Sequence, residues 1–424
     1  MIYYGTGSEK SVLGPEDLKN GLYTALKKLG GKRKVMVVPP DFTRYHSRAG
    51  ELTCYIYDYY QKYLSDVLPA LGTHNPMTIN EIDTMYPGIP KNLFRVHDWR
   101  NDVVTAGIVP GEYISEITER KLNYSWPAQV NKLLRNGGHD LIISVGQVVP
   151  HEVTGMANYT KNILVGTGGA EGINKSHFIG AVYGIERLLG KADNPVRQLL
   201  NYAVSKFLSD LPIVYVLTVV GRDETGKLVT RGLYIGDNYD AFKLASDLSL
   251  RVNFTVLEKP LSKVIVYLDP EEYKSTWLGN KSIYRTRMAM ADKGELIVLA
   301  PGVKEFGEDK EIDRLIRKYG YKGTPGTLKA LDENRELQNN LSAAAHLIHG
   351  SSEGRFSIIY CPGHLTREEI ESAGFRYGNL AEMIVKYNPE KLKEGINIMP
   401  DGEEIFYISN PAIGLWASKE RLNN

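Results

Sequence analysis

Cysteine is scarce in this chain, with only Cys54 and Cys361 among 424 residues. Both lie in apolar runs without the spacing of a metal site, which predicts buried free thiols in a reducing compartment. An excess of one charge is also lacking, because 51 basic residues balance 50 acidic ones and leave a net charge of +1. This balance argues against binding to nucleic acid or to an anionic membrane surface.

Long hydrophobic runs are missing as well. The longest mostly apolar stretch, 212–220, is too short to cross a bilayer, and MIYYGTGSEKSVLG at the start lacks the basic and apolar parts of a secretory signal. We therefore expect a cytoplasmic protein with no membrane or nucleic-acid partner. Its 42% hydrophobic and 24% charged contents are typical of a soluble globular chain, and its length favours two domains.

Apolar β-branched runs alternate with helical patterns along the chain. Strands are predicted at 34–41, 140–146, 212–220, 262–268, 295–302 and 356–363. Helical spacing covers 49–68 and 238–253, and the turn at 224–227 predicts a hairpin. Strands separated by connections of crossover length predict an α/β fold with two α/β domains and mostly parallel sheets.

The pattern restarts after Glu258-Lys259-Pro260, which indicates a domain boundary. We predict an N-terminal α/β domain at 1–258, completed by 396–424, and a C-terminal α/β domain at 262–395. Ligands of such sheets bind at the carboxyl ends of the strands. We therefore expect the active site in the cleft between the domains.

Polar residues that suit an active site lie in loops between the predicted elements. Asp41 and Arg44 follow the first strand in PDFTR, His74 lies in GTHNP, and His151 follows the strand that ends near 146. Each has an ordinary alternative. Asp41 can cap the next helix while Arg44 pairs with Glu51, and a loop histidine is more often solvated than catalytic.

The segment PHEVTGMANYTKNILVGTGGAEGINKSH carries His151, Lys161 and His177, with separations of 10 and 16 residues. Two histidines can exchange protons, one histidine can bind a metal, and a lysine can tether a cofactor. Taken singly, Lys161 is more typical of a surface lysine and His177 of a helix entry. The glycines at 166–172 resemble a phosphate loop, but without the spacing of the nucleotide motifs.

Together these residues resemble those of the nickel-dependent lactate racemase family. That family carries an Asp-His-Thr-Arg loop, a Gly-Phe-His-Arg-Pro motif, and a His, a Lys and a second His in series. Here the loop is Asp41-Phe42-Thr43-Arg44, the motif is Gly72-Thr73-His74-Asn75-Pro76, and His151, Lys161 and His177 keep both separations. The resemblance extends over most of the chain.

The resemblance implies a cofactor. In this family it is a nickel-pincer nucleotide, a pyridinium mononucleotide with two sulfur arms that a lysine holds through a thioamide. By resemblance, Lys161 is the tether, His177 the nickel ligand, and Asp41 and Arg44 belong to the cofactor-binding residues. A site with sulfur donors and a near-planar geometry suits nickel.

The resemblance also implies inversion at the Cα of a 2-hydroxy acid. The Cα hydride passes to the cofactor and returns to the opposite face, while His74 and His151 serve as the catalytic acid/base pair. Imidazole suits this work because its ordinary pKa lies near neutral pH. The implied partners are a small-molecule 2-hydroxy acid and the biosynthetic enzymes that load the cofactor.

The residues expected to bind the substrate depart from the family pattern. In SIYRTRMAM, Tyr284 is in register with the family's tyrosine, but Arg285 replaces a glutamine and Met288 replaces a lysine. Arg44 together with Arg285 or Arg287 is therefore expected to hold the carboxylate.

A tryptophan that lines the family's small pocket aligns with Asn339 in LQNN. A polar residue there favours a larger, hydroxylated substrate, so we predict C2 epimerisation of a sugar acid such as gluconate. The alternatives are racemisation of lactate or another short 2-hydroxy acid, a non-catalytic sugar-acid binding protein, and a zinc hydrolase. The paired histidines argue against simple binding, and the lack of a carboxylate-rich ligand set argues against zinc.

Overall fold

The computed structural model describes residues 1–422, which divide into two compact units. Unit 1 consists of Met1–Tyr183 and Arg187–Asn253. Unit 2 consists of Gly184–Glu186 and the described residues from Phe254 onward. Each unit is built on a six-stranded, mostly parallel sheet with helices, so the predicted α/β class is confirmed.

The strands of unit 1 form one large sheet and two small two-stranded antiparallel sheets. They are β1 (Ile2–Gly7), β2 (Val35–Val38), β3 (Leu64–Val67), β4 (Val103–Val109), β5 (Trp126–Asn131), β6 (Leu141–Gln147), β7 (Pro150–His151), β8 (Gly155–Met156), β9 (Ile213–Arg222) and β10 (Leu228–Gly236). The large sheet has the order β1-β10-β9-β6-β2-β3. Strands β9, β6, β2 and β3 are mutually parallel, whereas β10 runs antiparallel to β9 and β1.

The helices of this part of the chain include short ones that carry site residues. They are α1 (Pro15–Leu29), α2 (Ala49–Tyr60), α3 (Ile79–Met85), α4 (Gly111–Ile117), α5 (Lys132–Asn136), α6 (Thr160–Leu164), α7 (Ala170–Tyr183), α8 (Ile185–Leu188), α9 (Pro195–Phe207) and α10 (Tyr239–Asn253). Three 3-10 helices lie at Phe42–Ser47, Gln61–Tyr63 and Lys91–Leu93. Helix α9 begins with a proline after the capping residue Asn194, whose side chain accepts from the Arg197 N–H.

The direction of sheet growth reverses beside β2, because β3 and β6 lie on opposite sides of it. The parallel strands are fully buried hydrophobic runs, as expected for a sheet covered on both faces. Loops at such a reversal form a crevice at the carboxyl ends of the strands. Asp41 follows β2, His74 follows β3 and His151 follows β6, so all three leave the sheet at this edge.

Unit 2 has its own sheet with the order β15-β14-β13-β12-β17-β16, in which only the β16–β17 pair is antiparallel. Its strands are β11 (Phe254–Leu257), β12 (Leu261–Tyr267), β13 (Met290–Ala300), β14 (Ser357–Pro362), β15 (Arg376–Tyr377), β16 (Gly395–Ile398), β17 (Glu404–Ile408) and β18 (Leu415–Ser418). Its helices are α11 (Thr276–Gly279), α12 (Lys281–Tyr284), α13 (Lys310–Tyr319), α14 (Gly323–Glu333), α15 (Arg335–Gln338), α16 (Leu341–His349), α17 (Arg367–Ser372), α18 (Leu380–Lys386) and α19 (Lys419–Leu422), with a 3-10 helix at Pro411–Ile413.

The predicted return of 396–424 to the first domain is wrong. Strand β17 pairs in parallel with β12, with Ile265 opposite Tyr407, and β16 pairs with β17. Strand β18 pairs with β11, which also belongs to unit 2. The hydrogen bonds of this segment therefore complete the second sheet; residues 423 and 424 lie outside the described part.

The predicted helix at 49–68 is correct only in its first half. Helix α2 ends at Tyr60, and residues 64–67 form the edge strand β3, which pairs with β2. The predicted helix at 238–253 and the hairpin at 224–227 are confirmed by α10 and by the β9–β10 turn. In the described range 1–422, no helix has the length and apolar character needed to cross a membrane.

Candidate active site

Asp41 is a buried carboxylate that joins two loops of unit 1. It caps the 3-10 helix at Phe42–Ser47 by accepting from the Thr43 N–H at 3.1 Å, so the capping role considered above is present. Its other oxygen, Oδ2, lies 2.5 Å from Nδ1 of His74. Burial raises the pKa of Asp41, but hydrogen bonds from His74 and Thr43 and the charges of His74 and Arg44 outweigh burial and lower the pKa below its usual value.

The bond to Asp41 determines which nitrogen of His74 is free. An ionised carboxylate can only accept, so in the neutral ring Nδ1 carries the proton and Nε2 has the lone pair. The His74 side chain is 54% exposed, which leaves Nε2 accessible as a proton acceptor. Arg44 is also exposed; the alternative pairing with Glu51 is not formed, because Glu51 pairs with Arg48.

His151 has the opposite arrangement of protons. It lies in the small β7–β8 hairpin, where its Nδ1 accepts from the backbone N–H of Val153 at 3.1 Å. In the neutral ring the proton is therefore on Nε2, which becomes a donor. Burial lowers the pKa of His151 well below its usual value; Glu152 opposes this, and the positive charge of Lys161 adds to it.

Lys161 lies in the second position of α6 and is half-buried. Burial lowers the pKa of its amine to about 8, the charge of Arg44 adds to this effect, and Glu152 opposes it. A lysine with such a pKa is neutral in a useful fraction of molecules near neutral pH. Its Nζ can therefore act as a nucleophile that accepts a covalent cofactor.

His177 points one nitrogen into its own helix. Its Nδ1–H donates to the carbonyl of Ile173, one turn earlier in α7, at 2.7 Å, which leaves the Nε2 lone pair free. Burial lowers the pKa of His177, the Ile173 carbonyl opposes this, and Lys161 adds to it, so the ring favours its neutral form. Histidines that bind metals commonly donate their second N–H to a carbonyl in this way.

Within residues 1–422, no group of three or more His, Cys, Asp or Glu side chains is suitable for a metal ion. His177 alone offers one nitrogen donor. A single histidine beside a nucleophilic lysine fits a metal whose remaining donors belong to a cofactor attached to that lysine. The residues present can accommodate a metal only if such a cofactor supplies the other donors.

These groups lie close enough to act on one another. The pKa of His151 responds to Lys161 and His177, and that of Lys161 responds to Asp41 and Arg44. Asp41 is in turn bonded to His74. The structure therefore brings the six predicted residues of unit 1 together at one edge of its sheet: Asp41, Arg44, His74, His151, Lys161 and His177.

Comparison with known proteins gives three findings. Residues 23–185 match the family model of the lactate racemase N-terminal domain, a range that includes all six site residues. This part of the chain is therefore similar to the N-terminal domain of lactate racemases. Its fold is similar to the crystal structure of a protein from Thermotoga maritima (TM-score 0.80, 25% identity, covering 98% of this chain and 100% of that one). It is also similar to the lactate racemase apoprotein from Thermoanaerobacterium thermosaccharolyticum (TM-score 0.68, 18% identity, covering 98% and 94%). No curated protein sequence matches the chain.

The two buried arginines of unit 2, Arg285 and Arg287, differ in their partners. Arg287 pairs with Glu186 at 2.9 Å and with Glu353 at 3.3 Å. Arg285 donates from one terminal nitrogen to the carbonyl of Gly414 at 3.2 Å, while its Nε has no hydrogen-bond partner. Arg285 therefore keeps more donor capacity for a substrate than Arg287.

The other predicted substrate residues of unit 2 lie in different surroundings. Tyr284 is buried at the end of α12, with its ring centre 6.3 Å from that of His349. Met288 is also buried. Asn339 is exposed immediately after the short helix α15. Substrate binding by Tyr284, Arg285 and Asn339 remains a prediction.

Sequence reasoning missed the groups that support the site residues. His97 lies beside the carbonyl of Gly168 at 3.0 Å, in the turn between the helices of Lys161 and His177. Arg197 donates to the segment that precedes Lys161. Nothing local in the sequence identifies His97, whereas Arg197 belongs to a polar set with helical spacing.

Proposed function

We propose that this protein is a racemase or epimerase that inverts the Cα of a 2-hydroxy acid with a nickel-pincer nucleotide tethered to Lys161. The supporting observation is the grouping, on one sheet edge, of a lysine amine of lowered pKa, a histidine with a free Nε2, and two histidines whose Nδ1 contacts favour opposite tautomers. When bound, this cofactor supplies a hydride acceptor and donor. His177 would be its metal ligand.

The protein groups have separate tasks in this reaction. Nε2 of His74 takes the proton of the substrate hydroxyl, and Asp41 stabilises the imidazolium that forms. Nε2–H of His151 donates to the substrate oxygen as a neutral imidazole. Arg44, which is exposed beside them, is suited to hold the carboxylate through two parallel hydrogen bonds.

Inversion of the opposite enantiomer requires the histidines to exchange these tasks. His151 must then present an unprotonated Nε2, with its proton on Nδ1. That nitrogen now accepts from the Val153 N–H, so the ring must leave this contact before it can accept a proton at Nε2. The Val153 bond is therefore the contact that opens when His151 acts as the base.

The proposal is tested by producing the protein together with the cofactor-making enzymes and nickel. Intact mass analysis is expected to show one adduct, which peptide mapping places on Lys161. The loaded protein is then assayed with both enantiomers or epimers of 2-hydroxy acids. An adduct without turnover of any 2-hydroxy acid would favour the non-catalytic binding protein, and the lack of any adduct would contradict the cofactor assignment.

We predict that a polyhydroxylated acid is the preferred substrate. Met288 in place of a lysine and Arg285 in place of a glutamine indicate a changed carboxylate clamp, and polar Asn339 favours extra hydroxyl groups. A site that hydrogen-bonds those hydroxyls discriminates against substrates that lack them, because its polar groups stay unpaired. Gluconate should therefore show a higher kcat/KM than malate or lactate with the same loaded protein. If lactate is the best of the three, the pocket assignment is wrong.

His177→Ala is expected to release nickel while leaving the covalent adduct in place. Loss of even a supporting partner typically lowers metal affinity by about 10- to 100-fold, so removal of the protein ligand should cost at least about tenfold. Metal content is measured beside intact mass, with His364→Ala, at an exposed histidine of unit 2, as the control. Equal nickel content and turnover in His177→Ala would show that His177 is structural.

A further inference from the structure

Between His151 and Lys161 the chain follows an unusual path. Asn158 and Tyr159 both have left-handed backbone conformations, with φ of 65° and 58°. Such conformations are uncommon for residues with a Cβ, and two in succession require outside support. Helix α6 begins immediately afterwards at Thr160, so this bend determines the direction in which Lys161 leaves the backbone.

One face of α9 supplies that support. Asn194 donates from Nδ2 to the carbonyl of Thr154 at 3.0 Å, and Asn201 accepts at Oδ1 from the hydroxyl of Thr160 at 2.9 Å. Between them lies Arg197. The capping residue Asn194 and the α9 residues Arg197 and Asn201 are spaced by three and four positions, which places them on the same side of the helix.

Arg197 makes the most contacts with the bend. Its NH2 donates to the carbonyl of Met156 at 2.6 Å, and its NH1 donates to the carbonyl of Asn158 at 3.1 Å and to Oγ1 of Thr160 at 2.8 Å. The rigid, forked guanidinium matches this set of acceptors, which a single ammonium group cannot reproduce. Two of the acceptors are backbone carbonyls, so the contact fixes the path of the main chain itself.

Burial of the charged guanidinium of Arg197 destabilises the fold unless its hydrogen bonds offset the loss of hydration. The side chain is fully buried, and among the described residues 1–422 no carboxylate pairs with it. Its guanidinium carbon lies 4.4 Å from the ring centre of Phe242, a cation–π contact. A buried charge without a counter-ion is rare, and here it is held by the carbonyls of the segment that ends at Lys161.

We propose that Arg197 is a positioning residue that holds residues 156–160 in the bend at Asn158 and Tyr159 and so directs Lys161 into the site. The consequence for turnover rests on the proposed role of Lys161 as the tether. Arg197 does not touch the substrate in this scheme. It fixes the backbone of the bend through its hydrogen bonds. Its positive charge also disfavours protonation of the Lys161 amine.

The charge of Arg197 gives the proposal a measurable signature. Burial lowers the pKa of Arg197 to about 10, so it stays protonated at neutral pH. Among the causes that lower the pKa of Lys161, burial is the largest, followed by Arg44, with Arg197 also contributing. Loss of Arg197 should therefore raise the pKa of Lys161 as well as loosen the bend.

The test measures acetylation of Lys161 in the full-length, cofactor-free protein. Acetic anhydride is applied at a series of pH values, and the rate at Lys161 is read by peptide mass spectrometry. Arg197→Met is expected to lower this rate at pH 7 severalfold, because the neutral fraction of the amine falls as its pKa rises. The midpoint of the pH profile should shift upward, and Arg197→Lys, which keeps the charge, should restore part of both effects.

Arg231→Met is the matched control. Arg231 is a buried arginine of unit 1 whose guanidinium also donates to two backbone carbonyls, those of Ser11 and Arg222, away from the bend. If Arg197→Met does not fold, Thr160→Val removes one acceptor of Arg197 and should shift the Lys161 profile in the same direction by less. Thermal unfolding of each variant confirms that it is folded.

An unchanged Lys161 rate and midpoint in folded Arg197→Met, or in Thr160→Val, would overturn the proposal. An equal change in Arg231→Met would also overturn it, because the effect would then be one of general stability. The outcome does not depend on the cofactor. If the unsubstituted protein never acquires a Lys161 adduct, the proposed function fails, while the acetylation comparison still decides the role of Arg197.

Discussion

Lys161→Ala is expected to abolish both the cofactor adduct and all turnover. Burial and the charge of Arg44 lower the pKa of the Lys161 amine to about 8, which makes it a nucleophile. Alanine has no nitrogen at this position to attack the cofactor. Lys161→Arg should fail as well, since a guanidinium cannot form the thioamide. Intact mass and a racemisation assay on loaded protein measure both losses.

The control for this substitution is Lys206→Ala, at an exposed lysine near the end of α9. This variant should load and turn over like the parent protein. An adduct of unchanged mass on Lys161→Ala would assign the tether to another residue. In that case the grouping of His151, Lys161 and His177 would need a different explanation.

His74→Ala and His151→Ala should each reduce turnover in both directions. General acid–base catalysis typically contributes on the order of 10²–10⁴-fold, and microscopic reversibility places both residues on one reaction path. The rates are measured from each enantiomer or epimer of the best substrate, with the adduct mass recorded to show that loading is unaffected. A variant with near-normal rates in both directions would remove that histidine from the mechanism.

Asp41→Asn tests the role of the hydrogen bond between Asp41 and His74. An asparagine keeps the shape of the side chain but can present its amide N–H₂ to Nδ1 of His74, which favours the tautomer with the proton on Nε2. Turnover should then fall although His74 is still present. If Asp41→Asn retains the parent rate, the Asp41–His74 bond has no part in catalysis.

The central strands and the grouping of site residues were predictable from the sequence. Runs such as 140–146 are hydrophobic without alternation, as parallel strands buried on both faces must be. Because parallel strands present their carboxyl ends at one edge, residues that follow β2 and β6 were expected to meet there. The separations of His151, Lys161 and His177 gave the resemblance from which their roles were predicted.

The errors arose where the determining contacts are distant in sequence. Strand β3 has only four residues and continues an apolar pattern from α2, so local periodicity cannot separate the two. The segment 396–408 has strand character, but its partner β12 lies far back in the chain, and no local signal states which sheet it joins. The support of the bend by Arg197 depends on the fold of α9 against 154–160, which is likewise absent from local patterns.

Strand β1 has a consequence for how the protein is made. Among the strands of residues 1–422 its one partner is β10, which emerges from the ribosome about 220 residues later, after roughly 10–45 s at typical rates of synthesis. During that time the edge of β1 is without its partner, whereas the parallel strands β2, β3, β6 and β9 have all been synthesised before β10. Pairing of β1 with the sheet therefore becomes possible only late in synthesis. A nascent chain halted before residue 228 should have its first strand accessible to a protease.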